Sequence, residues 1–194
     1  MKRHNEEKER KKRLAMSLFI VAIMTLSVLG YMAGRNGEDT TTYKSFKFFK
    51  SSNMWATKIN GNNLLFHYHP SQVDYINISS SIIQRINNSL QIYQTSDENS
   101  TNKQAIALAQ FEIVQQLSFS NKFIVNGFTD ENQYNLPVIT CLNATENIPV
   151  LMFEKYNETS VGEENNCILI KARSDNDFIA LKDRILYGVL GIIG

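Results

Sequence analysis

Histidine is nearly missing from this chain: only His4, His67 and His69 carry an imidazole among 194 residues, and His4 lies in a basic tail. Cysteine is scarcer still, with Cys141 and Cys167 alone and no C-x-x-C spacing. A Ser-His-Asp or Cys-His site would therefore have to take His67 or His69 as its base. The compact catalytic signatures are absent too: no G-x-G-x-x-G, no P-loop, no G-x-S-x-G and no H-E-x-x-H occurs. An enzyme is consequently the less favoured expectation, and no cofactor is expected. Beyond the first thirteen residues positive charge is also in deficit, 13 basic against 16 acidic side chains. That argues against nucleic acid as a partner, because phosphate binding needs clustered positive charge. No internal repeat or heptad array is visible.

What the chain does have is a run from Leu14 to Ala33 without one charged side chain, preceded by seven Lys or Arg within the first thirteen residues. About twenty apolar residues at 1.5 Å each cover roughly 30 Å of hydrocarbon. Basic flanks stay cytoplasmic, so the expected order is a tail over 1–13, a transmembrane anchor in the bilayer over 14–33 and a flexible polar spacer over 34–42. An exported domain over 43–194 follows. A cleavable signal peptide is the alternative; the length of the run and the bulky Tyr31 in Tyr31-Met32-Ala33 favour the anchor. Either way the rest of the chain is expected outside the cytoplasm.

Export gives the two thiols a meaning, since an oxidising compartment lets Cys141 and Cys167 pair; two buried thiols in adjacent strands are the alternative. It also makes the five Asn-x-Ser/Thr acceptors, Asn77, Asn87, Asn99, Asn143 and Asn157, candidates for glycosylation. Asn99 and Asn157 sit in polar loops, whereas Asn77 falls in a strand-like run.

Along the exported part, 54–59 and 63–69 read as strands joined by a tight type I′ turn at Asn60-Gly61. Pro70 stops the second of them. Val73–Ile78 reads as a short strand, 79–88 as a short helix and 89–95 as a strand. The apolar spacing of Ala105, Ile106, Leu108, Ala109, Phe111, Ile113, Val114 and Leu117 predicts a long helix packed on a sheet. Strands are expected at 122–128, where Gly127 would mark a bulge or bend, and at 138–141, 150–155 and 167–171, with a polar loop over 157–166. Ser174-Asp175-Asn176-Asp177 caps a last helix over 178–193 whose apolar stripe is Phe178, Leu181, Ile185, Val189 and Ile192. The strand, helix, strand order implies parallel strands. The fold class is therefore α/β: an N-terminal transmembrane helix, then one mixed-sheet layered domain that begins with a β-hairpin.

Several constellations could carry chemistry. His67 and His69, two apart on a strand, would share a face and could hold a metal with an acidic ligand from elsewhere. Asp175-Asn176-Asp177 matches a D-x-D metal pattern, but its place at a helix start explains the carboxylates as caps. Phe46, Phe48, Phe49 and Trp55 interleave with lysines, as a membrane-facing belt or as an edge strand with Phe46 and Phe48 inward. The apolar residues 186–194 imply burial on more than one side, in the core or against a partner.

The basic tail, single span, polar spacer and Asn-rich exported domain, with Val138-Ile139-Thr140-Cys141 and Asn166-Cys167-Ile168-Leu169-Ile170 as its distinctive runs, resemble the small signal-anchored surface proteins of archaea. That resemblance implies a cell-envelope location. The expected function is a membrane-anchored envelope protein whose extracytoplasmic domain binds another protein or self-associates without catalysis. A small membrane-tethered metal-assisted enzyme using His67 and His69 is the alternative.

Overall fold

The structure, a computed structural model, describes residues 2–34 and 40–194, with side chains described over 10–30 and 40–194. It divides into an N-terminal unit and a compact unit over Thr40–Gly194.

The N-terminal unit is one helix, α1 (Lys2–Gly34). Its stretch Arg10–Gly30 contains 18 consecutive residues with a mean hydropathy of 2.0, and none of the stretch is buried. Among the described residues it is the one helix long and apolar enough to cross a membrane. Most of the spacer expected over 34–42 lies outside the described residues, and its last three residues belong to a strand instead.

That strand, β1 (Thr40–Tyr43), opens an antiparallel meander with β2 (Phe46–Ser51), β3 (Met54–Ile59) and β4 (Asn62–Phe66). The β3–β4 hairpin forms where Asn60-Gly61 predicts it, with φ of 50° and 86° at the two turn residues, as a type I′ turn requires. Because β1 covers one side of β2, the segment of Phe46 and Phe48 is an inner strand rather than the expected edge. Its Phe48 is wholly buried.

The second sheet has the order β6-β5-β7-β9-β8. Strands β5 (Gln91–Ser96), β6 (Phe123–Phe128), β7 (Val150–Lys155) and β9 (Cys167–Ala172) are parallel, and the edge strand β8 (Ser160–Glu164) is antiparallel to β9. The expected parallel pairing of strands joined by a long helix holds: α3 (Lys103–Ser118) connects β5 to β6. The polar loop expected over 157–166 is instead the β8–β9 hairpin, turning on Asn165 and Asn166, both at positive φ.

Two other strand readings fail. Residues 73–78 follow a 3-10 turn at Pro70–Gln72 and form a turn over 73–75, a bend at 76 and irregular backbone to 78, since Pro70 and the His69 cap start a tight helix rather than an extended run. Residues 138–141 make only an isolated bridge, Val138 to Phe128, before a second 3-10 turn at Cys141–Asn143. This segment runs beside β6, where a Cβ on Gly127 would stand 2.3 Å from the Pro137 carbonyl oxygen. Gly127 thus permits a close approach, and the β5–β6 register passes through it without a bulge.

Helix α2 (Ser80–Asn88) is capped by Ser79, and α4 (Asp175–Val189) by Ser174, whose Oγ accepts the Asp177 N–H at 3.3 Å. Helix α4 is the centre of the domain. Its Tyr187 stacks on Phe66 at 4.2 Å and meets Phe48 at 6.1 Å on the meander side, while Phe178 faces Phe153 of β7 at 6.4 Å. A helix held between two sheets is buried all round, which explains why its last turns are apolar on every face. The far face of the parallel sheet is covered by the segment before β7, through Ile139 and the Cys141–Cys167 disulfide.

Candidate functional site

A helix at the centre of a domain ought to be apolar, yet α4 carries Lys182, Asp183 and Arg184 in succession, all buried. Such charges require partners, because an unpaired buried ion is far too costly. Lys182 finds two carboxylates: Asp183 beside it and Glu112 of α3, whose Oε2 is 2.5 Å from Nζ. Glu112 Oε1 lies 3.0 Å from His67 Nε2, so one carboxylate bridges a buried ammonium and an imidazole whose side chain is 33% exposed. Burial acts to raise the Glu112 carboxyl, but the hydrogen bonds to His67 and Lys182 outweigh it and hold the group below its ordinary value. For Asp183 burial dominates and pushes the carboxyl up, against the pull of Lys182 and of the Tyr68 N–H. Arg184 donates from Nε to the Ile76 carbonyl at 2.9 Å.

The histidines do not share a strand face, because β4 ends at Phe66 and 67–69 is a bend. His67 turns toward α3. His69 enters an aromatic pocket, with ring centroids 4.9 Å from Trp55 and 5.2 Å from Phe48, and its Nδ1 is 2.8 Å from Ser71 Oγ. Desolvation there lowers the His69 pKa. Among the described residues no group of three or more His, Cys, Asp and Glu is placed to hold a metal.

The ionic cluster opens onto a groove of about 480 Å³ between β4 and α3, lined by Asn63, Leu65, Glu112, Gln115, Gln116 and Phe119 among others. The two walls run in opposite directions, since Glu112 meets His67 just past the end of β4 while Gln116, one turn later, donates from Nε2 to the Leu65 carbonyl at 2.7 Å. Gln116 is only 7% exposed, and its Oε1 is buried with no hydrogen-bond partner. That leaves one acceptor in the groove wall awaiting a donor. In a second crevice, at the carboxyl ends of β5 and β7, Asp97 Oδ1 accepts the Asn99 N–H at 2.8 Å and Thr129 Oγ1 donates to Asp130 at 3.0 Å.

Asp175 and Asp177 of the D-x-D pattern are occupied locally, Asp175 Oδ1 by Asn102 Nδ2 at 2.6 Å and Asp177 by Arg173 at 3.5 Å. Cys141 and Cys167 form a disulfide with a Cα–Cα distance of 5.2 Å, joining a 3-10 turn to β9 rather than two adjacent strands. All five acceptor asparagines, Asn77, Asn87, Asn99, Asn143 and Asn157, are exposed. Asn77 lies outside any strand, and Asn143 uses its Oδ1 to accept the Thr140 N–H at 2.8 Å.

Glu112, Gln116, Lys182 and Asp183 carry no motif in the sequence. The one available signal was three consecutive charges inside an otherwise apolar helix. Searches against protein-family models, characterised proteins and solved structures give no match.

Proposed function

We propose that this chain is a membrane-anchored cell-envelope protein whose extracytoplasmic domain acts as an interaction module rather than a catalyst. The observation that carries the reading is the pairing of an unburied apolar helix over Arg10–Gly30 with a separate compact domain containing a disulfide. The basic residues in the first turns of α1 orient it with the tail inside. Disulfides persist outside the reducing cytoplasm, which supports the same orientation.

Non-catalytic interaction is favoured by how the charges are used. The ammonium of Lys182 is committed to two carboxylates, and Glu112 is committed to Lys182 and His67, an arrangement that fixes helix positions instead of presenting a nucleophile to solvent. Large apolar side chains remain on the surface, including Leu90, Phe111, Phe119 and Phe123, each more than half exposed. Exposed apolar side chains of this size mark interaction surfaces when they gather into one area. The layout resembles that of archaeal signal-anchored surface proteins, in which the exposed acceptor asparagines would carry glycans.

The test is topological. Protease added to intact cells should remove the domain while leaving the tail and α1 in the membrane fraction, and glycosidase should shift the mobility of the released domain. Protection of the domain in intact cells, with cleavage in inverted vesicles, overturns the reading.

A further inference from the structure

The groove between β4 and α3 has the components of a strand-binding site. Strand β4 ends the meander, so its outer side pairs with no other strand. In a hairpin closed by a two-residue turn, Ile59 faces Asn62 in the hydrogen-bonded register, and so do Thr57 and Leu64. Asn63 and Leu65 therefore turn their backbone groups outward, toward the groove. The Leu65 carbonyl accepts from Gln116, which confirms the direction. The Leu65 N–H and both backbone groups of Asn63 have no backbone partner among the described residues. Ordinarily an edge of this kind is blunted by charge, proline or a covering loop. Here α3 covers the edge only in part: Gln116 reaches across to the Leu65 carbonyl at 2.7 Å, and a groove of about 480 Å³ remains beside Asn63 and the Leu65 N–H.

We propose that this groove binds an extended segment of a partner polypeptide, which adds a fifth strand to the meander along β4 and directs a lysine side chain at Gln116 Oε1 and Glu112. The complement of outward amide and carbonyl groups at strand spacing is another extended backbone. Side-chain specificity follows from the helix wall. Gln116 Oε1 is buried without a donor, and Glu112 lies one turn away on the same helix. The groove is lined by no lysine or arginine, so the Gln116 acceptor calls for a donor supplied from outside; an ammonium offers three, and Glu112, already held by Lys182 and His67, adds negative charge beside it. Leu65, 44% exposed, and Phe119, 58% exposed, supply apolar rims for the flanking residues of the segment.

The inference rests on the interaction-module reading and names its site. To test it, full-length protein in lipid nanodiscs is panned against a display library of random decapeptides, and the enriched peptides are synthesised. The expected winners alternate β-branched or aromatic residues with a lysine at one fixed position. Their binding should protect the Asn63 and Leu65 amides from hydrogen exchange. Two variants separate edge from wall. Leu65→Pro removes one outward N–H, which an edge strand tolerates, and Gln116→Met removes the orphan acceptor. Each should weaken binding about tenfold or more, Leu65→Pro with little change in Tm and Gln116→Met with no more than the modest fall expected from losing its bond to the Leu65 carbonyl. N-methylation of the peptide amides that pair with β4 should do the same without touching the protein. Failure to enrich any peptide, or enriched peptides indifferent to N-methylation and to both variants, overturns the proposal. A domain found to be cytoplasmic that still selects lysine-bearing strands would overturn only the envelope reading. An outward domain that selects none would overturn only the groove.

Discussion

Asp183 and Tyr68, 115 positions apart in the chain, are joined by a hydrogen bond of 2.8 Å in which the Tyr68 backbone N–H donates to Oδ2. One turn further along α4, Tyr187 donates its hydroxyl to the Tyr68 carbonyl at 2.6 Å. Both backbone groups of Tyr68 are thereby taken up by one helix. The bend after β4 can then pass close to the core without orphaned amides, which irregular backbone otherwise cannot do. Burial pushes the Tyr187 hydroxyl far above its ordinary pKa, keeping it a donor across the whole accessible range. The carboxylate that reads Tyr68 must itself be held in place, and Lys182 does that.

Replacing Lys182 by Met should therefore be severe. The substitution leaves Glu112 and Asp183 without their shared ammonium, and breaking a buried pair in this way typically costs about 3 to 5 kcal/mol. Lys182→Met combined with Asp183→Asn should recover part of that loss, because the amide oxygen still accepts the Tyr68 N–H while the fully buried one of the two stranded charges is gone and Glu112 keeps His67. Urea denaturation of the three proteins measures both effects. A double variant no more stable than the single one would show that the Asp183 charge is not what Lys182 compensates.

His69 makes stability depend on pH. Its pKa is lowered in the folded protein by burial among Tyr43, Phe48 and Trp55, while the unfolded chain titrates near the ordinary 6.5. The unfolded state then binds the proton first, so stability is intact above about pH 6.5 and is lost as the pH falls through that value toward the folded pKa. His69→Asn keeps a side-chain acceptor for the 3-10 turn at Pro70–Gln72 but cannot titrate. The fall in Tm between pH 7.5 and 5 should be smaller in this variant than in the parent. Equal falls would place the proton uptake elsewhere.

Those two predictions depend on residues that differ in how legible they were. The β3–β4 hairpin, α3, the Ser174 cap and the pairing of the cysteines follow from simple signals: a turn dipeptide, a helical period, a hydroxyl before a polar first turn, and a chain with two thiols and no others. Strand β7 was read at its observed bounds, because a short apolar run buried on both faces has few alternatives. Helix α4 was legible as a helix, and the chain's last residues, 186–194, as buried on more than one side, but the burial of the helix's charges was not legible. Its stripe of Phe178, Leu181 and Ile185 marks one side only, and no local pattern separates Lys182-Asp183-Arg184 from solvent-facing charge. What buries them is a second sheet, and nothing within a helix reports how many layers surround it. Strand β8 escaped for the opposite reason: an exposed edge strand needs no apolar alternation. The outward amides of β4 likewise depend on which strand ends the sheet, which is a property of topology.

The Cys141–Cys167 bond joins the segment covering the far face of the parallel sheet to the start of β9, 26 positions away. Closing a loop of that length removes about 3 to 4 kcal/mol of unfolded-state entropy in the chain-closure picture. The Cys141→Ala/Cys167→Ala variant should unfold at a correspondingly lower urea concentration, and added reductant should destabilise the parent but leave the variant unchanged. A reductant-insensitive parent would show that the two thiols are not joined in the purified protein.

Gln94 lies on β5 with no exposed surface, and neither its Oε1 nor its Nε2 has a hydrogen-bond partner. An amide carried into the core without compensation costs about 1 to 3 kcal/mol by mutational measures, whereas an apolar side chain of similar length at the same place loses nothing on desolvation. Gln94→Met should accordingly stabilise the domain by about 1 to 2 kcal/mol. The same strand supplies a control. Thr95, equally buried on the opposite face, donates its hydroxyl to the Ile139 carbonyl at 2.7 Å, so Thr95→Val removes a partner from a buried acceptor and should destabilise. Opposite signs at adjacent residues of equal burial would separate the effect of hydrogen-bond satisfaction from that of side-chain volume. If both substitutions destabilise, packing outweighs polarity in this layer, and the amide of Gln94 must meet a donor or acceptor when the protein is in solution.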